Sequence, residues 1–149
     1  MRAEVPEIVS HLPRFEYQGW YFRDPSPAWD AQRPSGRYTQ AVDAAIEAEG
    51  WRGHWSWHAM MPPRWQLADE WAWMSVRQVI GFVMFCESHH TPRAVGDHGR
   101  ALGLFQIRID YHPEVAKAEA RDPLFAIRWA TPRLLKGYAH LWTCWRSLQ

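Results

Sequence analysis

The sequence predicts a mainly α fold of the α+β kind, a helical bundle around one long helix carrying Glu87, with a small irregular or β-hairpin lobe at residues 95–108. Three observations point there. Apolar residues recur at spacings of three and four over 69–88 and again over 122–141, the period of an amphipathic helix. The stretch GDHGRALGLFQIRIDYHP, residues 96–113, interrupts that period with glycines at 96, 99 and 103, suited to tight reversals and close backbone approach. Every strong periodic signal is helical, and 149 residues fit one compact domain near the usual ~150.

Taken in order, residues 1–36 carry Pro6, Pro13, Pro25, Pro27 and Pro34 with Gly19 and Gly36, which predicts irregular chain apart from a short turn of helix or strand. Their aromatics, among them Phe15, Tyr17, Trp20 and Trp29, call for a surface to cover, so this segment reads as a wrap. From Tyr38 to Glu49 the chain turns helical, with Tyr38, Val42, Ala45 and Ile46 on one face and Gly50 as the stop. Residues 51–65 are ambiguous up to Pro62 and Pro63. A Trp-rich extension, 1–68, is thus expected to pack on a main body, 69–149.

The strongest helix is expected over Asp69–Ser88, with acids at its start and the stripe Trp73, Val76, Ile80, Val83. The next residue on that stripe is Glu87, a carboxylate on an apolar face just before Thr91-Pro92 ends the helix. A short helix between His112-Pro113 and Arg121 precedes a second block that opens at Asp122-Pro123, a cap with proline at the first helical position. There Leu124, Ile127, Thr131, Leu134, Tyr138 and Leu141 trace one face, and Pro132 predicts a kink or a split into two shorter helices.

A formal charge of +1 supplies no overall field for nucleic acid or an anionic membrane. The longest apolar run, VIGFVMFC at 79–86, has eight residues, far short of the ~20 that span a bilayer. No apolar run follows Arg2, so the start does not read as a secretory signal. Tryptophan is the outlier, with 11 in the chain and six between Trp51 and Trp73. Such clusters serve cores and sugar clefts alike; Trp55, Trp57 and Trp65 are candidate sugar platforms, with packing of the extension as the competing role. His54 and His58, four apart, and the scatter of His89, His90, His98 and His112 lack a zinc-site framework, so no metal is expected.

Glu87 and Asp97 lie ten residues apart, from a helix end and a turn, and paired carboxylates are the minimum apparatus of glycosidic bond cleavage. The bland alternatives are a Glu87 that turns outward or pairs with Arg93 or Arg100, and an Asp97 that bonds its own turn. At these residues the segment CESHHTPRAVGDHGRALGLFQI, Cys86–Ile107, resembles the lysozyme-like superfamily of goose-type lysozymes and lytic transglycosylases, whose pattern runs E-S, an A-V-G turn, then G-L-[MFW]-Q-[IV]. GDHG is closest to goose-type and phage-encoded versions, and YHPEVA, DPLFAIRWA and LWTCW are similar to phage and tail-associated members. The resemblance covers about residues 76–145.

That resemblance implies cleavage of the β-1,4 bond between N-acetylmuramic acid and N-acetylglucosamine in peptidoglycan, with Glu87 as general acid and 69–149 as the catalytic domain. Burial on the apolar stripe independently predicts a raised Glu87 pKa. Asp97 matches the water-positioning carboxylate of goose-type enzymes, favouring a lysozyme. A second acid of those enzymes is Arg108 here, with Asp110 two residues on, so a lytic transglycosylase yielding 1,6-anhydro ends stays open. Ser88, Gln106, Tyr138 and Trp142 correspond to glycan-contacting or acid-organising positions. In resuscitation-promoting factors, a related group, cysteines at similar places are bridged, which implies a Cys86–Cys144 disulfide. Peptidoglycan strands are the implied partner, with no cofactor, nucleic acid or membrane, and a monomer is expected. The implied setting is a phage endolysin or virion-borne enzyme. A glycan-binding structural module that does not cut is the competing class.

Overall fold

A reciprocal pair of hydrogen bonds sets the start of the central helix. In the computed structural model, which describes residues 38–149 and the backbone of a strand pair near the N-terminus, Ser75 Oγ accepts from Gln78 N at 3.1 Å and Gln78 Oε1 accepts from Ser75 N at 2.9 Å. This capping box satisfies two otherwise orphaned donors, so the helix runs Val76–Ser88 rather than from Asp69. Asp69–Trp71 forms a separate 3-10 turn. The S-x-x-Q signal lies in the sequence, beneath an apolar stripe that runs through it. The N-terminal pair consists of β1 (Glu16–Tyr17) and β2 (Trp20–Tyr21), antiparallel; the expected wrap of residues 1–36 lies outside the described residues.

Among the described residues two helices precede the central one and three follow it. The helix α1 (Thr39–Ala48) buries Val42, Ala45 and Ile46. Next, α2 (Trp57–Met60), capped by Ser56, buries Trp57 completely and stops before Pro62. The central helix, α3 (Val76–Ser88), is buried on nearly every side. Asp43 on α1 grips Arg77 on α3 through two bonds of 2.7 Å. Tyr38, Trp57, Met61 and Leu67 enter the same core as Ile80, Phe82 and Phe85, so residues 38–68 share their hydrophobic interior with the rest. Trp57 Nε1 donates to Trp65 O at 2.9 Å. The platform expectation fails for Trp57, whose wholly buried ring stacks obliquely on Trp145.

The chain leaves α3 through His89 and His90, both left-handed at φ 54° and 56°, and enters the small lobe. Strands β3 (Val95–Gly96), β4 (Ala101–Leu102) and β5 (Ile107–Arg108) form an antiparallel sheet with Val95 opposite Leu102 and Leu102 opposite Ile107. Leu102, Leu104, Phe105 and Ile107 anchor it to the core. Gly103 sits at φ 82°, and a Cβ there would run into the Ala120 carbonyl of α4 (Lys117–Arg121). The described fold is therefore mainly helical with one small three-stranded sheet.

Asp122 Oδ1 caps α5 (Pro123–Leu135) by accepting from Leu124 N at 2.9 Å and Phe125 N at 3.3 Å. Pro132 lies inside this helix, which ends three residues later; a 3-10 turn at Ala139–Leu141 follows Gly137, so the 122–141 block does divide, though after the proline. The expected face is only partly buried. Ile127, Thr131 and Leu134 point inward, but Leu124, Tyr138 and Leu141 are exposed, because the division resets the helical phase and Leu124 lies in the first turn. The last helix, α6 (Thr143–Arg146), is joined to α3 by a Cys86–Cys144 disulfide with a Cα separation of 5.9 Å.

The bridge closes a loop of 58 residues, so a Cys86→Ser/Cys144→Ser protein should unfold about 4 kcal/mol more easily in non-reducing denaturant titrations, on the chain-entropy account. Gly103→Ala, which meets both a left-handed backbone and a fixed carbonyl, should lose at least ~2 kcal/mol in the same assay.

Candidate active site

The last turn of α3 projects Glu87 into a cleft of about 470 Å³. The small lobe contributes Asp97, Gln106 and Arg108 to its lining, α5 contributes Trp129, and the C-terminal segment contributes His140, Trp142 and Arg146. Glu87 is half-buried at the end of a helix whose Ile80, Val83 and Phe85 lie in the core, and desolvation pushes its carboxyl up to about 7. Two weaker influences oppose that rise. The Cys144 N–H donates to Glu87 Oε2 at 3.4 Å, and the Arg146 guanidinium favours the carboxylate. The disulfide beside Glu87 is what carries that N–H to it.

Asp97 lies in the cleft with a left-handed backbone at φ 50°, followed by His98 at 56° and Gly99 at 86°. Three consecutive residues of this kind make a tight turn in which only the glycine is free of strain. Both carboxylate oxygens are taken: Arg108 Nη1 lies 2.6 Å from Oδ2 and Arg100 Nη2 3.1 Å from Oδ1. Arg108 also grips Asp110 through bonds of 2.8 and 2.6 Å, which hold the Asp110 carboxyl below its ordinary value. Asp110 does not line the cleft. The position after the Q-I pair thus joins two aspartates as a cation instead of supplying a second acid.

Gln106, at φ 49°, closes the lobe. Its Nε2 donates to Ala94 O at 3.2 Å and Gly103 O at 3.0 Å, and its amide oxygen lies so close over Gly96 that a Cβ there would strike it. Gly96 is extended, and it is needed for this approach rather than for a positive φ. Trp142 forms a wall of the cleft, donating to Phe105 O at 2.9 Å and meeting Phe105 and Trp129 edge-on. Ser88 does not reach the cleft; it is buried and donates to Met84 O at 3.0 Å, which satisfies its hydroxyl within the helix. Tyr138 is exposed and also lies outside the lining, on the turn before the C-terminal segment.

Several lining residues escaped the sequence reading. Trp129 is stacked by Arg133 at 3.8 Å and met edge-on by His112 at 4.8 Å. Tyr111 stands exposed at the mouth over Arg108, 4.1 Å from its ring centroid. Arg146 and Thr143 come from a four-residue helix with no periodic signal, and only the docking of α6 on α3 brings them to Glu87. None of Trp55, Trp57 or Trp65 lines the cleft. Among the described residues no three His, Cys, Asp or Glu side chains gather to hold a metal, and His58 Nε2 is bonded to the Leu67 carbonyl at 2.9 Å. Nor does any described helix have the length and apolarity to cross a membrane.

A carboxyl raised from 4.5 to about 7 binds its proton more tightly in the folded than in the unfolded chain. Its burden on stability is therefore absent below about pH 4.5, grows as pH rises, and is complete above about 7. Glu87→Gln should raise unfolding free energy by on the order of 2 kcal/mol at pH 8 relative to its effect at pH 4, as read by denaturant titration at both pH values. Compared with family models, curated proteins and solved structures, the chain matches none of them.

Proposed function

We propose that the chain is a peptidoglycan-degrading glycosidase of lysozyme-like fold that cleaves the β-1,4 bond between N-acetylmuramic acid and N-acetylglucosamine. The observation that carries this reading is Glu87, a carboxyl tuned to about 7 and set in a cleft walled by Trp129 and Trp142. Near neutral pH such a group still holds a proton to give, and its conjugate base is stable enough to lose it. In the proposed reaction Glu87 protonates the glycosidic oxygen as the C1–O bond breaks, and positive charge develops on the ring carbon and ring oxygen. Trp129, half-buried and covered on one face by Arg133, is the lining indole that could meet a pyranose ring, while Trp142 is buried and packs against it edge-on. The disulfide suits a protein working outside the reducing cytoplasm, where peptidoglycan lies.

Two fates of the glycosyl cation distinguish the enzymes. A lysozyme delivers water, and Asp97, the second carboxylate in the cleft lining, is the candidate to orient it. A lytic transglycosylase instead uses the muramic acid 6-hydroxyl and needs one acid only. The guanidinium clamps on both oxygens of Asp97 favour the second reading, since they leave fewer lone pairs for water. Lysozyme remains our first proposal because Asp97 stays in the cleft with its turn fixed by Arg100.

Purified peptidoglycan digested by the wild type should release muropeptides, and Glu87→Gln should release them ~100-fold more slowly or worse. Reducing ends in the mass spectrum would mark a lysozyme, 1,6-anhydro ends a transglycosylase. Retained glycan affinity with no products from either protein would leave a binding module and sink the enzymatic reading. The wild-type kcat/KM should fall as pH rises through about 7, because the acid must be protonated to act.

A further inference from the structure

The cleft holds two arginines in very different circumstances. Arg108 is saturated, with Asp97 on one guanidinium nitrogen, Asp110 on the other two, and the Tyr111 ring across its face. Arg146 makes no ion pair with a carboxylate among the described residues. It is nonetheless held in place, donating to His140 O at 2.9 Å through Nη1 and to Thr143 Oγ1 at 3.1 Å through Nη2. A guanidinium has five N–H donors, so three remain for a ligand. The group is exposed, lines the same cleft as Glu87, and acts on it through space. Its helix is fixed to the acid's helix by the Cys86–Cys144 bond.

We infer that Arg146 is a substrate-binding residue that receives a carboxylate carried by the glycan, so that the cleft selects acidic muramic-acid strands over neutral chitin-like ones. This rests on the glycosidase reading and names the substrate chemistry of the same cleft. A planar guanidinium with free donors matches a carboxylate in two-point geometry, and in a walled cleft that bond is stronger than on an open surface. The carboxylate has two sources: the lactyl group of a peptide-free muramic residue, or the acids of a stem peptide, whose attachment converts the lactyl group to an amide. A bound carboxylate has a second effect. By neutralising the Arg146 charge it removes a field that favours ionised Glu87, so the acid is more fully protonated with substrate in place than without it.

The test measures glycan binding by calorimetry in the Glu87→Gln protein, which leaves ligands intact, with and without Arg146→Gln. The probes are a chitin oligosaccharide, a peptide-free muramic-acid oligosaccharide and a stem-bearing muropeptide oligomer. Arg146→Gln should weaken the carboxylate-bearing probe ~10-fold and leave chitin unchanged, and Arg146→Lys, which keeps the charge but not the planar fork, should recover only part of the loss. The probe that responds identifies the source of the carboxylate. Added salt should weaken that probe in the Arg146 protein and have little effect after Arg146→Gln. In the otherwise wild-type enzyme, Arg146→Gln should move the alkaline limb of kcat/KM upward, a shift that mere loosening of α6 would not give. Equal weakening of all three probes, or no weakening of any, overturns the inference. A wild-type protein that releases no muropeptides overturns the glycosidase reading instead, and the binding comparison still decides the role of Arg146.

Discussion

The Cys86–Cys144 bond brings the end of the most buried helix against the short helix that closes the chain, and Glu87 is the side chain caught at that junction. Much of the cleft follows from this contact. It delivers a backbone N–H to the carboxylate and sets Arg146 near it, while Trp142, two residues before Cys144, is pinned to the Phe105 carbonyl of the lobe. One covalent link thus orients groups from both sides of the proposed reaction centre. Without it, α6 has only four residues and would be held by the packing of Trp142, Trp145 and Leu148 and by a few hydrogen bonds, among them Ala68 N to Leu148 O at 2.7 Å.

Placing an acid at the end of an apolar helix is costly for stability, and the molecule offsets that cost only partly. The Cys144 N–H is a long bond, and Arg146 is exposed to solvent, so neither cancels the desolvation of Glu87. The surroundings are firmly built instead: the Ser75–Gln78 box fixes the start of α3, the Asp43–Arg77 pair ties it to α1, and His90, buried and bonded to the Gly81 carbonyl at 3.1 Å, secures the exit. Burial drives the His90 ring down to about 4, so it stays neutral across the range in which Glu87 titrates. A rigid frame around a poorly solvated carboxyl is the arrangement that keeps a proton available near neutral pH.

How much of this was legible depended on whether the cause was local. The amphipathic faces of α1 and α5, the Asp122-Pro123 cap and the turn-rich lobe all follow from residues near one another in sequence, and the structure contains them. The start of α3 is hidden in the sequence although S-x-x-Q marks it, because the apolar stripe runs on through Trp73 and masks the break. The tryptophans around Trp57 read equally well as core or platform; only the packing of Trp57 on Trp145, 88 positions away, separates the two. Arg108 could be seen to replace an acid, but its grip on Asp97 and Asp110 depends on the register of the lobe strands. Arg146 had no local signature, since its place beside Glu87 is decided by a contact across the chain.

The same bridge has a consequence for how the molecule would respond to a protease. The lobe, α4 and α5 all lie between the two bonded cysteines, and exposed bends such as those near Arg93 and Arg121 are the sites a protease would reach first. A single cut there divides the backbone but releases neither fragment, because both remain attached through sulfur. The walls of the cleft would stay paired after nicking, and damage would register on a reducing gel well before it registered as lost function.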